Sequence, residues 1–210
     1  MKTLFLSSLI SFCLLIFYLN RRHEKMEKKM KEAFWKREEE ANHTRKKPLN
    51  DLPYITIPLQ SLPLTGDPDT EEIREYRESI KSLASCKIVN FTGYTNTDLK
   101  LTYGTANITL LSEYDQNYTF LVSTLQKWAE ALYREGAIAE CRQVLEYAVS
   151  IGTDVSHTYY LLADLYDDSG DSLLKEDLIK KASAINSTQG SIIARTLQGS
   201  GPYSGWLHSA

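Results

Sequence analysis

The sequence has little of what a catalyst or a metalloprotein displays. Three cysteines occur in 210 residues, Cys13, Cys86 and Cys141. They are too few and too far apart for a disulfide framework or a metal knuckle. The four histidines stand apart at positions 23, 43, 157 and 208. No phosphate loop, nucleophile elbow, HExxH or CxxC is present, so neither catalysis nor a cofactor is expected. His157, Asp164, Asp167, Asp168 and Asp171 come closest to a ligand set. Yet the Asp-Asp-Ser-Gly-Asp stretch ends a helical pattern and reads as a turn, so no metal is expected. No basic stripe interleaved with aromatics appears, which argues against nucleic acid as a partner. No small-molecule substrate is implied either.

The net charge of −3 conceals an uneven distribution. From Asn20 to Asn50 there are eleven Lys/Arg and six Glu, a net of +5. From Asp51 onward there are twelve Lys/Arg and twenty-one Asp/Glu, a net of −9. The basic part is short and follows Thr3–Leu19, a 17-residue stretch without charge. That length is at the short end for a helix crossing a bilayer. Its end, Phe-Tyr-Leu-Asn-Arg-Arg, lacks the small residues of a signal-peptide cleavage site. Phe12 before Cys13 and the apolar Leu-Leu-Ile-Phe after it argue against a lipoprotein. The expectation is a single-pass, uncleaved anchor over residues 1–20, with the lipid bilayer contacted through residues 3–19. Lys2 precedes the run, while Arg21, Arg22, Lys25, Lys28, Lys29 and Lys31 follow it. The positive-inside tendency then places the rest of the chain in the cytoplasm, at the cell membrane. Unpaired cysteines agree with a reducing compartment. Five Asn-x-Ser/Thr triplets, at Asn42, Asn90, Asn107, Asn117 and Asn186, would matter only in a eukaryotic lumen.

Residues 21–47 are rich in Glu, Lys, Met and Ala and predict a charged helix. Glu24–Lys28, Glu27–Lys31 and Glu32–Lys36 are i,i+4 pairs in the favourable order. Met26, Met30, Ala33 and Phe34 fall on one narrow side. That helix is read as a solvated spacer, as a helix lying on acidic lipid, or as one half of a coiled coil with its own copy. Prolines recur at 48, 53, 58, 63 and 68, which excludes a helix and predicts an extended arm over 48–68. The arm carries Leu52, Ile55, Ile57, Leu59, Leu62 and Leu64, and is expected to pack on the helical part or to serve as a docking motif. Residues 69–121 read as a helix over Asp69–Ala84, capped by Asp69 or Thr70, followed by an irregular cap. Within that cap, Lys-Ile-Val-Asn-Phe-Thr-Gly-Tyr suggests a short strand. The Thr-Asn-Thr-Asp run suggests a capped helical turn.

The C-terminal third superimposes on itself at a shift of 34 residues. Leu125 falls on Tyr159, Trp128 on Leu162, Ala129 on Ala163, and Leu132 on Tyr166. Gly136 falls on Gly170, Leu145 on Ile179, Ala148 on Ala182, and Ile151 on Ile185. A period of this length predicts stacked helical hairpins, each too small to bury its own apolar face. Over Val122–Gln189 these residues resemble the tetratricopeptide-repeat pattern. The resemblance departs at Lys175, where the first unit has the small Cys141, and at Thr153 and Ser187, where a turn proline is expected. It implies an all-α fold: two TPR-like hairpins at 122–189 with flanking helices, including a short capping helix over Ile192–Leu197. The small residues and glycines of Gly199–Ala210 predict a disordered tail, despite Trp206. The resemblance also implies that the first helices of the hairpins line a concave groove for a protein or peptide. The matching positions are Ser123, Gln126, Glu130, Tyr133, His157, Tyr160, Asp164 and Asp167, an acidic and aromatic set suited to a basic or aromatic peptide. The chain is therefore expected to be a membrane-anchored adaptor or scaffold, or alternatively a permanent subunit of a membrane complex.

Overall fold

The computed structural model describes residues 2–199, and the side chains of these except residues 2–11 and 13. The tail expected after Gly199 lies outside the described residues. Among the described residues the chain is all-helical, with eight α-helices, one 3-10 turn and no strand. Two compact units are present, one formed by residues 2–48 and 95–108, the other by 49–94 and 109–199.

The first unit is built on α1, Lys2–Asn42, a helix of 41 residues. The apolar run and the charged segment, expected as separate pieces, are continuous within it. The anchor expectation for Thr3–Leu19 falls mostly on residues whose side chains lie outside those described. Among the described residues no helix is long and apolar enough to cross a membrane. The described part of the run, Phe12 and Leu14–Leu19, is exposed on every side of the helix.

The C-terminal end of α1 carries α3, Asn96–Tyr103. The helical turn expected from Thr-Asn-Thr-Asp forms with a capping box: Thr95 accepts from the Asp98 amide while Asp98 accepts from the Thr95 amide. Arg37 pairs with Asp98 at 2.5 Å, and Lys100 pairs with Glu38. Lys100 and the Thr97 hydroxyl hold the Glu38 carboxyl below its ordinary range. Asn107 closes the unit by donating to the carbonyls of Lys47 (2.8 Å) and Tyr103 (2.7 Å).

The second unit begins with the proline-punctuated arm. As expected, the arm packs on the helices: Leu52, Ile57 and Leu62 are buried, and the last two join the main core. Its anchor is a residue the sequence did not single out. Arg77 is only 3% exposed, and its guanidinium donates to the carbonyls of Pro63 and Gly66, both at 3.0 Å. Arg77 lies on α2, Glu71–Leu83, whose N-cap is Thr70, one of the two expected caps. The segment expected as a strand is irregular instead. Ile88, Val89 and Phe91 are buried, but Asn90 ties the loop by its side chain rather than by a ladder.

The core comes from the repeat region. α4 (Ile108–Arg134) and α5 (Ile138–Ser150) form one hairpin; α6 (Ser156–Ser169) and α7 (Ser172–Ser183) form the next. α4 starts fourteen residues before Val122, so part of the expected irregular cap is helix. α8, Thr188–Gln198, is longer than the expected Ile192–Leu197. The 34-residue period is physical, down to single hydrogen bonds. Ala137 donates to the Leu132 carbonyl, and 34 residues later Asp171 donates to that of Tyr166. Gly136 donates to Tyr133, and Gly170 to Asp167. Both glycines have φ of +75°, so each first helix ends in the same left-handed turn. Leu125, Trp128, Ala129 and Leu132 are buried, as are Tyr159, Leu162, Ala163 and Tyr166. The second hairpin is looser on its outer helix: of α7 only Leu178 and Ala182 are buried, and Leu173 is 78% exposed.

Cys141 occupies the small-residue position of α5 and is fully buried, which pushes its thiol up to about 12. The thiolate is the reactive form. In a Cys13→Ser background, one thiol per chain, that of exposed Cys86, is expected to react with a maleimide under native conditions. Cys141 is expected to react only in denaturant, which mass spectrometry of labelled peptides checks.

Candidate partner-binding face

The face expected to bind a partner lies on α4 and α6. Ser123, His157 and Asp167 are exposed, while Glu130, Tyr133, Tyr160 and Asp164 are half-buried. Gln126 departs from the expectation. It is 7% exposed and belongs to the seam between the helices rather than to the open face. Its Nε2 donates to Glu130 Oε1 at 2.7 Å, and its Oε1 accepts from the Thr158 hydroxyl at 2.6 Å. His157 Nδ1 lies 3.7 Å from the same Glu130 oxygen. The structure thus joins Gln126, Glu130, Thr158 and His157 across the two hairpins.

Asp167 is directed to its own hairpin. It pairs with Lys175 of α7 at 2.5 Å. The sequence marked Lys175 as a misfit for a small-residue position, and this ion pair is what the long side chain does there. Of the expected positions only Gln126 is buried, while Ser123, Glu130, Tyr133, His157, Tyr160, Asp164 and Asp167 are at least partly exposed, Asp167 with Lys175 beside it.

Two further elements bound the face. At one end α2 reaches α4 through Glu72 and Arg134, 2.7 Å apart. Arg134, together with the Tyr76 hydroxyl, holds the Glu72 carboxyl below its ordinary range. At the other end, beside Ser123, a depression of about 340 Å³ opens between Gly93, Asp115, Tyr118 and Asp154. Asn90 organises this end. Its amide donates to the Tyr118 hydroxyl at 2.9 Å and to the Gly152 carbonyl at 3.1 Å, while its oxygen accepts from the Thr92 amide at 2.8 Å. The sequence marked Asn90 only as part of an Asn-x-Thr triplet. A polar residue between Val89 and Phe91, in an apolar stretch, was the available signal.

Burial pushes the Asp115 carboxyl above its ordinary range, although it accepts from the Phe91 amide. A carboxylate raised on folding favours the folded state while protonated, and that contribution is lost as pH rises through its folded pKa. Asp115→Asn keeps an acceptor without the charge. It is expected to raise the urea midpoint near about pH 7 and leave it unchanged near about pH 4, close to the ordinary Asp range reached on unfolding. A lower midpoint near neutrality would show that the charge is engaged. Asp171 runs the other way. Ser169 and Arg142 lower its pKa, so its contribution is present at neutral pH and lost in acid.

Among the described residues no group of three His, Cys, Asp or Glu could hold a metal ion, so His157, Asp164 and Asp167 gather no such site. No protein-family model, curated protein or solved structure matches the chain.

Proposed function

We propose that this protein is a membrane-anchored adaptor that holds a protein or peptide partner on the α4–α6 face of a TPR-like pair of hairpins. The observation that carries this reading is the repeated hairpin itself. Matching turns and buried positions recur 34 residues apart, and the first helices meet through Gln126–Thr158 and Glu130–His157, with Glu130, His157, Tyr160 and Asp164 at least partly exposed. Carboxylates beside tyrosines favour a basic or aromatic segment, which gains both charge complementarity and ring contact. No catalytic group is required by this reading.

The anchor half rests on the uncharged run and on the exposure of its described side chains, Phe12 and Leu14–Leu19. A helix apolar all round is stable where lipid covers it. The run spans about 25 Å at 1.5 Å per residue, short of a full hydrocarbon core unless the bilayer thins around it. The basic flank favours a cytoplasmic helical domain.

A second reading has its own observation. The exposed Leu173 and half-exposed Leu174 on α7 suit a permanent neighbour. The full chain in mild detergent separates the two: a monodisperse monomer favours the adaptor, and aggregation relieved only by a co-expressed partner favours the subunit.

Peptide display against the full chain tests the face. Enriched sequences are expected to carry Lys, Arg and aromatic residues. A Ser123→Lys, His157→Lys variant adds positive charge at two exposed positions and is expected to lose them. Enrichment of acidic peptides, or equal binding by the variant, would overturn the reading.

A further inference from the structure

The anchor reading leaves the charged half of α1 without a ligand, and a ligand assigned to that half depends on the anchor. Every residue of α1 from Asn20 to Arg37 is exposed. At 100° per residue, Arg21, Arg22, Lys25, Lys28 and Lys29 fall within roughly 120° of the helix circumference. Glu24 and Glu27 fall outside that sector, and Glu32 is the acid within it. The five cations surround a depression of about 640 Å³, with Tyr18 and Met26 contributing its apolar lining and Glu32 at its far end. A concentration of positive charge on one side of a solvent-exposed helix is an anion-binding surface.

Its position selects the anion. Side chains on an α-helix lean toward the helix N-terminus. Here that direction is toward Leu19 and the uncharged run. Arg21 follows this rule, its guanidinium lying 5.5 Å from the Phe17 ring centre. Along the axis, Arg21 and Arg22 stand roughly 3–5 Å beyond Leu19, and Lys28 and Lys29 roughly 14–15 Å. The headgroup layer adds roughly 5–8 Å beyond the hydrocarbon on each side. The two arginines therefore fall within the layer, and Lys25 leans back into it. Lys28 and Lys29 lean toward it from within about one Debye length.

We propose that Arg21, Arg22, Lys25, Lys28 and Lys29 form a binding site for anionic phospholipid headgroups at the base of the anchor. The chemistry is charge-assisted contact with lipid phosphate and carboxylate, with Tyr18 placed at the interface where its ring and hydroxyl are both accommodated. The site would make the lipids surrounding the anchor selectively acidic.

Electron spin resonance of the full chain in phosphatidylcholine bilayers tests this. Trace spin-labelled phosphatidylserine or phosphatidylcholine reports lipid held at the protein surface. Both labels are expected to show a motionally restricted component, with about fivefold preference for phosphatidylserine, the equivalent of roughly one fully engaged cation. Replacing all five cations by Gln should bring the preference to about one while the restricted component persists. Equal restriction of both labels by the wild type, or a preference kept by the variant, overturns the headgroup site and leaves the anchor standing. No restricted component with either label overturns the anchor reading itself. Loss of the preference on adding inorganic phosphate, but not chloride of equal ionic strength, identifies a free-phosphate site instead and also overturns the proposal.

Discussion

Trp128→Ala is expected to cost about 3–5 kcal/mol, enough to unfold the repeat region near physiological temperature. Trp128 is fully buried at the start of the 34-residue register, in the core shared by both hairpins. Its removal leaves a cavity that the surrounding core side chains can only partly fill. Trp128→Phe should behave differently. The indole Nε1 is buried without a hydrogen-bond partner. Phenylalanine removes that unsatisfied donor, whose burial costs about 1–3 kcal/mol, and so offsets part of the lost packing. The Phe variant is expected within about 1.5 kcal/mol of wild type. Urea unfolding followed by circular dichroism measures both. A Phe variant as damaged as the Ala variant would show that the indole ring, not apolar volume, is what the core requires.

Gly104→Ala is the second large effect and acts on the other unit. Gly104 has φ of +89°, where a side chain is strained. A Cβ there would lie 2.3 Å from the Arg45 carbonyl oxygen and 2.8 Å from the Lys46 Cα. Both obstacles are backbone and cannot rotate away. Strain and overlap together amount to about 2–4 kcal/mol. The expected outcome is release of the segment that α3 holds against the end of α1. Hydrogen exchange reads it directly, because the Lys47 amide donates to the Tyr103 carbonyl at 3.0 Å. Faster exchange at Lys47 and Asn107, with the repeat region unchanged, is predicted. Unchanged exchange at both would contradict the tight approach at this glycine.

The repeat hairpins were legible because their constraints are local and periodic. Small residues at Ala129 and Ala163, and turn glycines at Gly136 and Gly170, recur at the spacing that close helix packing demands. The early start of α4 was also written, with Leu111, Tyr114, Tyr118 and Leu121 buried at helical spacing. It was hidden by Thr, Asn, Asp and Tyr, which are weak helix formers. The segment after Cys86 was misread because Ile, Val and Phe favour strands, whereas its burial is organised by Asn90 reaching chain more than sixty residues away.

The exposure of the expected α4 and α6 positions was legible in outline but not residue by residue. A helical wheel places Gln126 outward, and only the arrival of Thr158 from the next hairpin makes it an interior bridge. Asp167 faces out by spacing and is exposed, but its ion pair with Lys175 is not legible from spacing. Arg77 left no pattern at all, since its closest partners are backbone carbonyls of the arm, with the Asp69 carboxylate at 3.4 Å. Side chains whose roles depend on distant backbone are invisible to periodicity.

The adaptor reading is tested most directly by affinity capture of the full chain from solubilised native membranes, compared with the Ser123→Lys, His157→Lys variant and quantified by mass spectrometry. The adaptor reading predicts a partner with an exposed basic or aromatic segment, captured by the wild type and reduced at least about tenfold by the variant, which corresponds to about 1.4 kcal/mol of lost binding. A partner retained equally by both proteins would contradict a binding face on α4 and α6.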